Sequence, residues 1–163
     1  MTKFFALIIS FLLTIFPSSS YLICQSQQLA FPGENAACKM IAEYIKDNDV
    51  ESIYNLFCEE DKQANEKLKE EIQSVIDSID GTIVFTYKGG NGFQSDYSNE
   101  GVYQSKRDFS LKVETENETY EILILWVTVD TESPQKVGLS NLAVFDSESN
   151  LIAETSEAIL KGH

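Results

Sequence analysis

The chain has 163 residues, 43% of them hydrophobic, enough for one domain with its own core and an export segment. Its formal net charge is −14, so nucleic acid and anionic lipid headgroups would be repelled rather than bound. Histidine occurs once, as His163 at the chain end, and arginine once, as Arg107, which leaves nothing in the body for His-based zinc sites, Ser-His-Asp triads or a multi-arginine anion clamp.

Residues 1–20 read as a signal peptide: Lys3 supplies the positive start, Phe4 to Phe16 is nearly unbroken apolar sequence, and Pro17 and three serines follow. Ser18 and Ser20 are small residues placed for cleavage before Tyr21, and an uncleaved membrane anchor is the alternative. Cys24 is a lipidation candidate because it follows the apolar run as the modified cysteine of a bacterial lipoprotein does. Tyr21, Leu22 and Ile23 before it lack the small residue of such a box, so lipidation and plain cleavage both stay open. Residues 21–33 are a tether, polar from Gln25 and ending in Phe31-Pro32-Gly33. A single domain is expected over residues 34–163.

Helical spacing of Ala37, Ile41, Tyr44 and Ile45 predicts a first helix from about Glu34 to Lys46. Asp47-Asn48-Asp49 breaks it and caps a second, about Val50 to Glu59, with Val50, Ile53, Tyr54 and Phe57 on one side. The acidic trio Glu59-Glu60-Asp61 has no Gly or Asn to make a calcium loop, so no metal site is expected there. A third helix, about Gln63 to Ile79, carries the stripe Leu68, Ile72, Val75, Ile76 and Ile79 and stops at Asp80-Gly81. Cys38 and Cys58 fall on these helices. They are either small buried hydrophobes or a disulfide pair, and spacing does not decide.

The period then changes from 3.6 to 2. Thr82–Lys88 is a strand with Ile83, Phe85 and Tyr87 on one face. Gly89 to Asn99 reads as a glycine-opened loop bearing Phe93 and Tyr97. It lacks the Lys-Ser/Thr of a P-loop, so the choice is between a ligand-contacting lid and a mere connection. Tyr103–Glu114 is a second strand, turning near Asn117 into the run Thr119–Asp130, with Asn117-Glu118-Thr119 a glycosylation sequon if a eukaryote makes the chain. That run organises the whole chain. Ile122, Ile124 and Trp126 lie on one face and Leu123, Leu125 and Val127 on the other, the pattern of a strand buried on both sides. A polar connection to Lys136 leads to the return strand Val137–Phe145, and Leu151 to Ile159 is a final edge strand or helical turn. The class is α+β: three N-terminal helices packed on a curved antiparallel sheet of about four strands.

Several of these stretches carry a family resemblance. Asp130-Thr131-Glu132-Ser133-Pro134 followed by Val137-Gly138-Leu139, the apolar strand before them, and Asp47 to Phe57 between the first helices resemble an uncharacterised family of exported proteins and lipoproteins from Gram-positive bacteria. The order of helices then sheet resembles the wider NTF2-like, cone-shaped superfamily. The likeness spans roughly Ala36 to Leu151 and implies a fold and a compartment: exported, extracellular or anchored to the outer face of the cytoplasmic membrane, touching membrane only through the N-terminus. It implies no reaction and no cofactor. Pairing of two copies, a homodimer, is one arrangement such folds take.

Two functional expectations follow. The first is a non-catalytic module at the cell envelope that binds an unknown small molecule or an envelope protein, with Tyr87, Phe93, Tyr103, Trp126 and Asp130 as ligand-binding candidates. Each has a structural alternative: Trp126 as core, Asp130 as a turn cap, the aromatics as ordinary strand residues. The second is a small acid–base enzyme of isomerase or dehydratase type, using a Tyr/Asp pair inside the cone. Filling of the cone by side chains favours an interaction module over both a ligand pocket and an enzyme.

Overall fold

The computed structural model describes residues 31–90 and 92–155. The expected signal peptide, most of the expected tether, Cys24 and the chain beyond Thr155 lie outside the described residues. Among the described residues the order is four α-helices, then six strands. The helices are α1 (Glu34–Lys46), α2 (Val50–Leu56), α3 (Glu59–Ala64) and α4 (Leu68–Asp77). The strands are β1 (Ile83–Lys88), β2 (Phe93–Asn99), β3 (Val102–Thr115), β4 (Thr119–Asp130), β5 (Gly138–Phe145) and β6 (Leu151–Glu154).

The first helix matches its periodicity, burying Ala37, Cys38, Ile41, Ala42 and Ile45. Asn48 takes a positive φ of 54° to end it, and Asp49 caps α2 by accepting from the Ser52 amide at 3.0 Å and the Ser52 hydroxyl at 2.6 Å. Four helices replace the expected three because tertiary contacts break the pattern twice. Phe57 and Cys58 leave the helix to run extended beside β5, where the Cys58 amide donates to the Leu139 carbonyl at 2.9 Å. Gly138 permits this approach. Its φ is +142°, and a Cβ there would sit 3.0 Å from the Cys58 Cα and the Leu56 carbonyl oxygen. Asn65 makes the second break: its backbone turns extended and its side-chain oxygen accepts from the Lys67 amide.

Every neighbouring strand pair is antiparallel, in the order β1-β3-β4-β5-β6. Strand β2 is the correction to the expected loop. It pairs with the first half of β3 while β1 pairs with the second half, so both lie along one edge, separated by Gly89–Gly92. A two-residue turn at Glu100 (φ 48°) and Gly101 (φ 87°) closes the β2–β3 hairpin, both positive as its strand twist requires. Residues with no hydrophobic alternation formed this strand through pairing alone.

The helices pack on one face of the sheet. Phe109, Leu111 and Val113 from β3, Ile122, Ile124 and Trp126 from β4, and Leu142 and Val144 from β5 meet Ile41, Ile53, Leu68, Ile72 and Val75 from the helices. Tyr120 closes the far end, its hydroxyl accepting from the Asp80 amide just past α4 at 3.1 Å. Among the described residues no helix is long and apolar enough to cross a membrane.

Candidate functional site

Register fixes which side chains share a face. The inward set on β3 is Phe109, Leu111 and Val113, so Lys106, Asp108, Ser110, Lys112 and Glu114 point outward. Their cross-strand neighbours point outward with them: Tyr87 beside Lys112 and Phe93 beside Asp108 on one flank, Glu121, Leu123 and Leu125 on the other. A bulge at Val84 shifts Ile83 inward, so Phe85 and Tyr87 face out with ring centroids 5.6 Å apart while Ile83 touches the core. The expectation that Ile83 shares their face is therefore corrected.

The helix-free face exposes several large apolar side chains. Phe85 is 56% exposed, Tyr87 41%, Phe93 68%, Tyr97 53% and Leu123 40%. At about 200 Å² per ring, the four aromatics alone expose about 450 Å², well inside the range of the largest apolar patches on ordinary monomers. Between them runs the polar stripe of β3, where Lys112 and Glu121 form an ion pair of 2.6 Å that holds the Glu121 carboxyl below its usual pKa. Asp108 goes the other way: partial desolvation raises its pKa, with Lys106 countering. The stretch 83–115 carries four cations and four anions, so all of the −14 lies elsewhere.

The five ligand-binding candidates do not converge. Tyr87 and Phe93 share the outer face, four β3 residues apart in register. Tyr103 lies on the opposite side of β3, its hydroxyl 3.4 Å from Asp96. Trp126 is 1% exposed in the core, its ring tilted against that of Phe31 with centroids 5.5 Å apart, and its indole N–H has no hydrogen-bond partner among the described residues. Asp130 is spent on the turn after β4. It accepts from the Gln104 amide at 2.9 Å and from the Glu132 and Ser133 backbone at 3.1 and 2.7 Å. No Tyr/Asp pair faces a common cavity among these candidates.

Grooves open elsewhere at the surface. One of about 510 Å³ runs over the start of α1, where Glu34 bridges Lys88 at 2.7 Å and Arg107 at 3.8 Å. A second of about 270 Å³ adjoins it between Lys39, Thr86 and Leu111. A third of about 300 Å³ lies at the other end of α1, lined by Ile45, Ile76, Ile79 and Ile83. Among the described residues no cluster of His, Cys, Asp or Glu could hold a metal.

Cys38 and Cys58 are separate buried thiols and no disulfide joins them. The Cys38 thiol points at the Ser110 carbonyl and the Cys58 thiol donates to Asp61 at 3.0 Å. Burial pushes Cys38 up to about 11, and burial with the Asp61 carboxylate pushes Cys58 up to about 12.

Residues 40–148 match the family described as a domain of unknown function, DUF5104. The chain belongs to that family. The DUF5104 span starts inside α1 and includes both breaks in the helices, the outward face, Asp130 and Gly138, stopping short of β6. Comparison with curated proteins gave no match. Sequence reasoning missed Phe85 and Leu123 as surface residues. The signal was present: β4 is apolar on both faces, and a sheet with helices on one side leaves the second face in want of a cover.

Proposed function

We propose that this DUF5104 protein is a non-catalytic protein-interaction module of NTF2-like cone type, exported and held at the outer face of the cell envelope. One observation carries the reading. The central strand β4 is apolar on both faces, and its outer one is covered only in part: Val127 is buried, while Leu123 stays 40% exposed. The side meant for chemistry in a cone fold is packed with Trp126, Ile122, Ile124 and the helix stripes. The side left open carries the aromatic patch. Interaction modules look like this, whereas a ligand binder or an acid–base enzyme needs polar groups converging in a hollow.

The test uses two cysteine variants of the full chain in expressing cells. Leu123→Cys probes the open face and Glu148→Cys an exposed turn. A membrane-impermeant maleimide is applied, with labelling assigned peptide by peptide. The expected result is labelling of Glu148→Cys on intact cells and protection of Leu123→Cys until the protein is denatured. Equal labelling of both on intact cells would remove the covered face; no labelling of either before lysis would remove the envelope location.

A further inference from the structure

We propose that the groove at the C-terminal end of α1 docks a basic, apolar polypeptide segment, one or two aliphatic side chains flanked by lysines or arginines. The groove lies on the helix side of the sheet. It therefore goes beyond the reading of the outer face, and either can fail while the other stands.

The floor of the groove supplies the apolar half. Ile45 from α1, Ile76 from α4, Ile79 and Ile83 line a volume of about 300 Å³. That is the small end of the range for ligand pockets, room for aliphatic side chains rather than for a large molecule. Ile79 and Ile83 pack against the core yet are only partly buried, so an incoming side chain removes further apolar surface from water.

The rim supplies the charge. Asp47 follows the lining residue Lys46, Asp77 follows Ile76, and Asp80 stands between Ile79 and Gly81. Glu116 joins them from the β3–β4 turn. Its amide donates to the Thr82 carbonyl at 3.1 Å, and its carboxylate lies 3.5 Å from the Thr82 hydroxyl. All four acids are exposed. Among the described residues none of them is in an ion pair. Asp77 and Asp80 accept from the side-chain amides of Gln73 and Asn117, neutral donors that leave the charge in place. Lys46 is the one cation on the lining. Both helices also end here, and helix C-termini carry partial negative charge. α4 has no basic residue in its last turn to answer it. A lysine or arginine from a partner does so.

The same chemistry selects against other occupants. The net charge of −14 repels nucleic acid and anionic lipid and draws a cation in from a distance. A neutral glycan neither fills an aliphatic floor nor answers the acids. The chain's own Ile159, Leu160 and Lys161 have the right composition, but the described chain leads away from the groove. Tyr120 bonds the Asp80 amide at the groove end of the sheet, and Phe145 pairs with Glu121 beside it. Strand β6 starts opposite Phe145 and has receded to Leu142 by Thr155.

The experiment is fluorescence anisotropy on the full chain as its expressing cell processes it. The probe is a labelled, end-blocked peptide of three leucines between two pairs of lysines; its counterpart has serines for the leucines. The leucine peptide is expected to bind at least about tenfold more tightly, the equivalent of burying one leucine. Asp47→Asn with Asp77→Asn, which keep the shapes and remove two rim charges, are expected to weaken it at least about tenfold. Glu66→Gln with Glu132→Gln, the same charge change on exposed residues away from the groove, should leave it unaltered. Thr82→Trp, a large side chain at an exposed lining position, should block binding. Equal affinity for the two peptides, or equal losses in the two charge-removal variants, would mean attraction to overall charge alone and overturn the groove. No binding of the leucine peptide overturns it as well. A chain ending at Thr155 that binds the peptide tenfold more tightly or better would make the chain's own tail the occupant and overturn the external partner. None of these outcomes bears on the cover of Leu123.

Discussion

Leu123 and Ile124 are adjacent on the central strand and face opposite ways, so truncating each in turn weighs the two faces of the sheet. Ile124 is 1% exposed, between Phe109 and Leu142 in register, and Ile124→Ala removes a fully packed side chain. Such truncations cost about 2–5 kcal/mol, combining lost transfer energy with the cavity left behind. Leu123 keeps 40% of its surface in water beside Ser110 and Ala143. Full burial of a leucine stabilises by about 1.5–3 kcal/mol, so Leu123→Ala in the isolated chain costs about 1 kcal/mol. With a urea slope of about 1–3 kcal/mol per molar, the two variants separate by about 0.3–4 M in midpoint. The assay is urea unfolding followed by Trp126 fluorescence at low protein concentration. Equal costs for the two would refute the reasoning: the outer face would then be covered from within a single chain.

Asp130→Ala leaves two backbone amides and the Gln104 side chain without their acceptor, and a loss of about 2–4 kcal/mol is expected, with Asp130→Asn losing less; urea midpoints of the two variants measure this. The thiols of Cys38 and Cys58 stay protonated at pH 8 because their pKa values are about 11 and about 12. Alkylation by iodoacetamide, read peptide by peptide, should therefore proceed only as fast as the fold opens. An unfolded thiol ionises near the ordinary 9.0, so these groups contribute stability that is present below pH 9 and is lost as pH rises toward 11 and 12; thermal unfolding between pH 8 and 10.5 reads it. At the acid end, Asp49, Asp96, Asp146 and Glu121 have lowered pKa values in the fold and Asp108 a raised one. The four lowered groups contribute stability that is present above their ordinary values of 3.8 and 4.5 and drains away as pH falls below them, outweighing the one group that gains. Thermal midpoints should fall on going from pH 5 to pH 3.

Legibility in the sequence followed the reach of the interactions. The first helix was readable because Ala37, Ile41 and Ile45 repeat at helical spacing, and β4 because its apolar run has strand length and a turn at each end. The split of the later helices was not readable. Nothing local to Phe57 and Cys58 requires an extended backbone; the requirement comes from Leu139, about eighty residues on, through a bridge that Gly138 makes sterically possible. Strand β2 escaped for a related reason. Its sequence, Phe-Gln-Ser-Asp-Tyr-Ser-Asn, is exposed throughout and has no buried face to stamp a period of two, so only pairing with β3 reveals it. Among the site candidates, Asp130 was legible as a turn cap from residue type alone. Tyr87 and Tyr103 were legible as strand residues but not as residents of opposite faces, because a register cannot be read without knowing where the bulges fall.

The outer face differs from an ordinary solvated one in how its polarity is arranged. A sheet with water on one side alternates apolar and polar along each strand, as β3 does from Asp108 to Glu114. Strand β4 departs from this: Leu123, Leu125 and Val127 hold its outward positions where charges would dissolve better. Val127 is buried and needs an apolar side chain, whereas Leu123 is 40% exposed and lies outside the core cluster. An outward leucine stabilises the isolated chain by only about 1 kcal/mol, and it raises the hazard of aggregation. Its presence makes sense where the face spends its time covered. The aromatic edge on the far side of β3, with Phe85 56% and Phe93 68% exposed, obeys the same logic.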